Sequence, residues 1–179
     1  MAITFHPNGD VTGTGASNFG QTGTVLQTVQ ATQTSEVSTS GTSFIDTGLS
    51  GSITPSSNSS KILVIVTQRF FIERSTDQAR GGFRLLRGST VILQGPNTAS
   101  GSEPGGEGFS SGNGPSAIQF AGAYNCSFLD SPSTTNSTTY KTQFANNQAS
   151  ASPTIYINSL NNNSGEDGVS TMTLMEIKQ

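Results

Sequence analysis

The stretch KILVIVTQRFFI, from Lys61 to Ile72, decides the fold of this chain. It is rich in β-branched and aromatic residues, which favour extended strands. Side chains alternate between the two faces of a strand, and in the first half of this stretch both faces are apolar. One face carries Ile62, Val64 and Val66, and the other carries Leu63 and Ile65. We therefore expect both faces to be buried.

Burial on both faces requires two covers. One face would pack on a second sheet of the same chain, but the other face of an antiparallel sandwich usually meets solvent. A neighbouring subunit is the simplest cover for it, and a helix or loop of the same chain is the alternative. The C-terminal segment is also apolar on both faces, with Met172 and Leu174 against Met175 and Ile177. We therefore place it beside the central strand.

The composition supports strands over helices. Only 11% of the 179 residues are charged, about half the usual share of ~25%. Many positions hold Ser, Thr, Asn or Gly instead, which are poor helix formers. The length suits one domain preceded by an arm. We expect an all-β protein with its folded domain over residues 25–179.

Further segments of the chain predict the other strands. Gly88 and Ser89 separate two of them and predict a type II′ hairpin. Two long loops are expected at Asn97–Pro115 and Ser131–Ser137. The spacing is typical of a β-sandwich or jelly roll. The predicted strands are Val25–Thr32, Thr42–Thr47, Gly48–Pro55, Gly82–Arg87, Thr90–Gln94, Ala117–Ala123, Cys126–Leu129, Thr138–Ala145, Thr154–Asn158 and Thr171–Ile177.

The first 24 residues differ from the rest. They hold many Gly, Thr and Ser residues and too few apolar side chains to offset the entropy of ordering. The segment is either a flexible terminus or a tether that becomes ordered on a partner. As a tether it would attach through its isolated apolar residues, which are Ile3, Phe5, Val11 and Phe19.

Charge and hydropathy exclude two classes of partner. The net charge is −3 and only 8 residues are basic, so we expect no nucleic acid partner. No stretch approaches the ~20 apolar residues that span a bilayer, and no secretory signal begins the chain, so we expect no membrane partner and synthesis in the cytoplasm.

The residues needed for catalysis or metal binding are scarce. The single histidine, His6, lies in the arm, and the single cysteine, Cys126, has no nearby base or second thiol. A hydrolytic triad, a zinc site and an intrachain disulfide are therefore not expected. We predict no catalytic residue, no cofactor and no metal site. A carboxylate pair drawn from different strands, as in glycosidases, remains the enzymatic alternative.

Two clusters allow a binding role beside an ordinary structural one. Residues Asn161–Asp167 could offer oxygen ligands to calcium, but a polar turn explains them better. The arginines around the central strand suit a subunit contact, an anionic-glycan site or a solvated sheet face. They are Arg69, Arg74, Arg80, Arg84 and Arg87.

Three segments carry a resemblance to a known group of proteins: Thr42–Leu49, Ser52–Val64 and Ser170–Ile177. In these segments the chain resembles short virion proteins of tailed bacteriophages, particularly of aquatic and cyanobacterial phages. The start, MAITF, is similar to the arms of their fibre and decoration proteins. The resemblance implies a trimeric jelly roll, similar in outline to tumour-necrosis-factor-like domains. Such proteins serve as capsid decoration or cement, head fibres or short tail fibres.

Together these observations predict a non-enzymatic virion protein. A jelly-roll domain of residues 25–179 would form a homotrimer, and the arm of residues 1–24 would attach it to a capsid or tail protein. The alternative is a tail-fibre module whose loops recognise host surface glycan. The predicted trimer interface consists of Ile62, Leu63, Val64, Ile65, Val66, Met172 and Leu174.

Overall fold

The computed structural model describes residues 4–5, 11–12, 21–74, 80–95, 107–110, 118–147, 153–159 and 168–179. These residues contain strands and no helix, so the all-β prediction is confirmed. The strands are β1 Thr4–Phe5, β2 Val11–Thr12, β3 Val25–Gln33, β4 Val37–Thr39, β5 Ile45–Ile53, β6 Lys61–Arg74, β7 Arg80–Arg87, β8 Thr90–Gln94, β9 Glu107–Ser110, β10 Ile118–Asp130, β11 Thr138–Asn146, β12 Thr154–Ile157 and β13 Ser170–Ile177.

The long strand β6 organises the first of two antiparallel sheets, sheet one. Along one edge it pairs with β10 over its whole length except Lys61. Along the other edge, the first half of β6 pairs with β13 and the second half with β12. Beyond these, β3 pairs with β13 and β4 pairs with β12. The apolar stretch that predicted a central strand is therefore in the middle of this sheet.

The second sheet, sheet two, is built around β11 and β7. Strand β5 pairs with β11, and β11 pairs with β7. The far edge of β7 is shared by β8 and β9. The inner faces of the two sheets pack together as a β-sandwich, as expected. Their core is Leu49, Ile53, Ile62, Val64, Val66, Phe70, Ile72, Phe83, Leu85, Tyr124, Tyr140, Phe144, Ile155, Ile157, Met172 and Leu174.

A chain of buried polar side chains also crosses between the sheets. Thr47 Oγ1 and Thr142 Oγ1 lie 2.6 Å apart in sheet two, and Thr142 donates to Gln68 Oε1 of sheet one at 2.8 Å. Gln68 Nε2 donates to Ser170 Oγ at 2.6 Å, and Ser170 donates to Asn158 Oδ1. All five side chains are fully buried. Because a buried polar group is costly unless paired, this chain of bonds fixes how the two sheets align.

Several predicted strands match the structure, and the hairpin is among them. Strands β7 and β8 flank Gly88 and Ser89. A type II′ turn requires a positive φ at the first of its two central residues only, and here Gly88 has a φ of 58° while Ser89 has no positive φ. Ser131–Ser137 contains no strand, as expected of a loop.

Four strand assignments need correction. The predicted strands at 42–47 and 48–55 are one strand, β5, because a bulge opposite Lys141 and Gln143 lets the chain continue through Gly48, whose φ is 88°. The predicted strands at 117–123 and 126–129 are also one strand, β10, since β6 pairs with it throughout. Strand β4 was not predicted. Strand β9 lies within the predicted loop Asn97–Pro115.

Candidate interaction surface

The outer face of sheet one is a nearly regular grid of uncharged side chains, set by the strand register across β10, β6, β13 and β3. Ile65 and Leu129 are exposed, while Leu63 and Met175 are half-buried beside them. Lys61 and Arg69 mark the limits of the grid along β6. The three rows are Leu129–Leu63–Met175–Thr28, Ser127–Ile65–Thr173–Gln30 and Asn125–Thr67–Thr171–Thr32.

The apolar side chains gather in the first row. Leu129, Leu63 and Met175 lie side by side there, and Ile65 follows in the second row. The rest of the grid consists of Thr, Ser, Asn and Gln, so the face is neither a closed core nor a charged, solvated surface. Farther along β6 the face changes, because Phe71 is buried and its ring lies 5.8 Å from that of Tyr156. We call the grid the outer face of sheet one.

The outer face of sheet two has a different character. Lys141 Nζ lies 3.0 Å from Asp46 Oδ2, and Arg84 donates to Gln143 Oε1 at 2.6 and 2.8 Å. The Arg84 guanidinium also lies 4.1 Å from the ring centre of Phe44. Burial alone would raise the pKa of Asp46, but hydrogen bonds from Gln143 and Lys141 outweigh it and lower that pKa. This surface resembles an ordinary solvated sheet face.

The predicted interface needs correction in five of its residues. Ile62, Val64, Val66, Met172 and Leu174 are at most 1% exposed and lie in the core between the chain's own two sheets. They are not available to another copy. Leu63 and Ile65 are the two residues of this set on β6 that point to the outer face. The alternative cover, a helix or loop of the same chain, is wrong at Ile65, which remains 38% exposed.

The predicted attachment residues are only partly described. Phe5 and Val11 pair through their backbones in the two-stranded sheet of β1 and β2. Ile3 and Phe19 lie outside the described residues, as do His6 and the segment 161–167. At the end of the arm, Gly23 N donates to Lys178 O at 2.8 Å, and Lys178 N donates to Thr24 O at 2.9 Å. The chain there is therefore bonded to the C-terminal residues.

One buried carboxylate was not singled out from the sequence. Glu176 is fully buried at one end of the sandwich, where its Oε1 accepts bonds from Ser56 N at 2.8 Å and Ser56 Oγ at 2.6 Å. Its Oε2 accepts from Gln27 Nε2 at 2.6 Å. Burial would raise the pKa of Glu176, but these bonds and one from Ser60 lower it to about 2. Hydrogen bonds from Ser and Gln side chains thus keep the carboxylate ionised.

A second buried carboxylate, Asp130, is held by a guanidinium and a hydroxyl. Arg87 Nη1 lies 2.9 Å from both of its oxygens, and the Tyr140 hydroxyl donates to Oδ2 at 2.8 Å. Burial, and then the bond to Asp130, raises the pKa of Tyr140 far above its usual range. Arg84 and Arg87 therefore do not share one site: Arg87 pairs with Asp130, while Arg84 lies over Phe44.

The remaining chemistry offers little to a ligand. Within the described ranges, no group of three or more His, Cys, Asp or Glu side chains could hold a metal ion. Tyr124 and Tyr140 belong to the core, while Tyr156 is partly accessible and Phe120 is 46% exposed. A shallow groove of about 260 Å³ is lined by Leu26, Ser56, Ser57, Ser59, Ser60, Lys178 and Gln179.

Comparisons with known proteins give no family. In the part of the chain that the structure covers, no helix has the length and apolar character needed to cross a membrane. No family model matches the chain, and a search of curated proteins finds no similar sequence.

Proposed function

We propose that this chain is a non-enzymatic structural protein of a bacteriophage virion, in which three copies associate through the outer face of sheet one. The arm of residues 1–24 attaches the trimer to a capsid or tail protein. The observation that carries the proposal is the outer face itself, which has exposed apolar side chains and no charge over three rows. Exposed apolar side chains that lie together on a surface without charge support an interaction site.

The strand order supports a jelly roll as the form of this sandwich. We count β3 with β4, β8 with β9 and β12 with β13 as single interrupted strands. The order is then 1-8-3-6 in sheet one and 2-7-4-5 in sheet two. Two Greek keys folded over one another produce this order, which is common in viral capsid domains. The virion assignment itself rests on the resemblance of the sequence segments.

The mass of the protein in solution tests the association. Light scattering should give three times the 18.5 kDa of one chain. Ile65→Asp should reduce the mass to that of one chain while the circular dichroism stays that of a β protein. Val91→Asp is the matched control, because Val91 is also 38% exposed but lies in sheet two. A monomeric wild type, or a folded Ile65→Asp that keeps the wild-type mass, would contradict the proposal.

The location on the particle needs a separate test. Cryo-electron microscopy of the purified particle should show the domain on the capsid or tail surface, with residues 1–24 in contact with a neighbouring protein. Particles can also be assembled in the presence of a chain that lacks residues 1–24. Absence of this shortened chain from the purified particles would support attachment through the arm. Retention of the shortened chain would contradict it.

Glycan recognition receives less support as the function. Sugars stack on accessible aromatic rings, but the chain has no tryptophan and two of its three tyrosines are in the core, which leaves Tyr156 and Phe120. The loop 97–115 is described only at β9. A glycan array with the trimer should therefore give no binding, and a reproducible hit would favour the tail-fibre alternative.

A further inference from the structure

Two of the three edge strands of sheet one, β10 and β3, lack the features that usually prevent strand addition; the third, β4, has only three residues. Among the described residues, β10 pairs only with β6, and β3 pairs only with β13. Strand β10 is 13 residues long and carries no charge before Asp130, and β3 is nine residues long and carries none. Neither contains proline. Long, uncharged edges accept strands from other chains unless something covers them.

We propose that β10 of one copy pairs with β3 of the next copy, so that sheet one continues from copy to copy around the trimer. This inference rests on the proposed self-association and names the pair of strands through which neighbouring copies would contact each other. The occupant of each β10 edge is therefore a second copy of this chain, and its β3 edge is taken by the third.

The strand directions suit this contact. Strands β10 and β13 both run antiparallel to β6, and β3 runs antiparallel to β13. Consequently β10 and β3 point in opposite directions within one copy. Rotation about an axis parallel to the strands keeps those directions, so β10 and the next copy's β3 meet as an antiparallel pair. Copies in a cyclic trimer are related by rotation alone, with no shift along the axis.

The positions of the apolar side chains along the edges also agree. Leu129 shares a row with Thr28, which lies two residues from Leu26 and three from Val25. Leu129, Leu26 and Val25 are all more than 40% exposed. Leu129 and the pair of Leu26 and Val25 lie near the same end of sheet one, so pairing of β10 with the next copy's β3 near this register brings the two apolar ends together. The contact would then cover exposed apolar surface on both strands.

Engineered disulfides test the contact. In a Cys126→Ser background, Thr28→Cys is combined with Leu129→Cys, and Gln30→Cys with Ser127→Cys. Paired residues on adjacent antiparallel strands are about 4.5–5.5 Å apart, within disulfide reach. Within one copy the two cysteines are separated by three strand spacings, about 14 Å, so they cannot bond internally. Oxidation of the dilute protein should give covalent trimers on a non-reducing gel.

The controls separate the possible outcomes. Each single cysteine, and Val91→Cys with Leu129→Cys, should remain uncrosslinked. Covalent dimers from Leu129→Cys or Ser127→Cys alone would mean that β10 meets β10, which overturns the inference. A trimeric mass without crosslinking in either double variant would overturn it too, while leaving association through the outer face intact. A monomeric mass of the wild type would remove the proposed function itself.

Discussion

The edge strands of the two sheets differ in length, charge and regularity. In sheet two, β8 and β9 have five and four residues, and the opposite edge strand, β5, carries Asp46 and a bulge at Gly48. Each of these features discourages pairing with another chain. In sheet one, β10 is long, uncharged to Leu129 and regularly paired. The edges of sheet two therefore discourage strand pairing with another chain, whereas the β10 edge of sheet one does not.

The outer faces differ in the same direction. Sheet two holds an ion pair and an arginine over an aromatic ring, whereas sheet one shows only uncharged side chains across its three rows. The inner faces, in contrast, contribute alike to a single core. If this comparison is right, substitutions in the core should affect stability strongly in either sheet, and substitutions at the outer faces should separate the sheets.

The largest effect on stability is expected in the shared core. Phe83 of sheet two is fully buried, and its ring stacks on Tyr124 of sheet one at 4.8 Å. Phe83→Ala should lower the free energy of unfolding by about 3–5 kcal/mol, because it leaves a cavity between the sheets. Phe120→Ala is the control, since Phe120 is 46% exposed, and should cost less than about 2 kcal/mol. Urea denaturation measures both. Equal losses would mean that the core does not extend across the two sheets as described.

The next effect sharpens the comparison between the carboxylates. The pKa of Glu176 is about 2 in the folded chain, against an ordinary value of 4.5. The ionised carboxylate therefore contributes fully to the free energy of unfolding above pH 4.5, and this contribution is lost as the pH falls to 2. Glu176→Gln should cost about 2 kcal/mol at pH 7 and almost nothing at pH 2. Asp46 is 53% exposed, and Asp46→Asn should show a much smaller change over that range. Urea denaturation at several pH values measures the loss of unfolding free energy in both variants. A Glu176→Gln deficit that does not depend on pH would contradict the assigned ionisation.

The buried polar chain should give a smaller loss. Gln68→Leu would leave Thr142 without its acceptor and Ser170 without one donor, at a cost of about 1–3 kcal/mol. The exposed pair of Ser52 and Thr139, 2.7 Å apart on sheet two, supplies the control. Ser52→Ala should change stability by less than about 0.5 kcal/mol. A neutral Gln68→Leu would show that apolar packing alone aligns the sheets.

Local sequence patterns predict much of the fold, but they do not show which face of the central strand, β6, points to the core. Ile62, Val64 and Val66 are as apolar as Leu63 and Ile65, so alternation alone did not tell which set points inward. Distant strand pairing decides it, and for that reason five core residues were assigned to the interface. The two merged strands, β5 and β10, also depend on partners, because a continuous neighbour carries a strand through a glycine or polar residues.

The buried carboxylate was predictable only in part. Met172, Leu174 and Glu176 alternate along β13 and therefore share its inner face, so a buried acid could have been inferred. Its donors, Ser56 and Gln27, come from a loop and from β3, more than a hundred residues away in the chain. Such long-range partners leave no local pattern. The grid on the outer face likewise becomes visible only when the register of four strands is known.

The smallest effect is expected where sheet two meets water. Lys141→Ala removes the ion pair with Asp46, whose side chain is 53% exposed. An exposed pair contributes less than about 1 kcal/mol and is screened by salt, so the loss should be small and should vanish in ~1 M salt. Thermal or urea unfolding at low and high salt measures it. If the loss approached that of Gln68→Leu and persisted in salt, the pair would belong to the packing of β5 on β11. The charges of sheet two would then stabilise the fold, and the contrast between the sheets would depend on the edge strands alone.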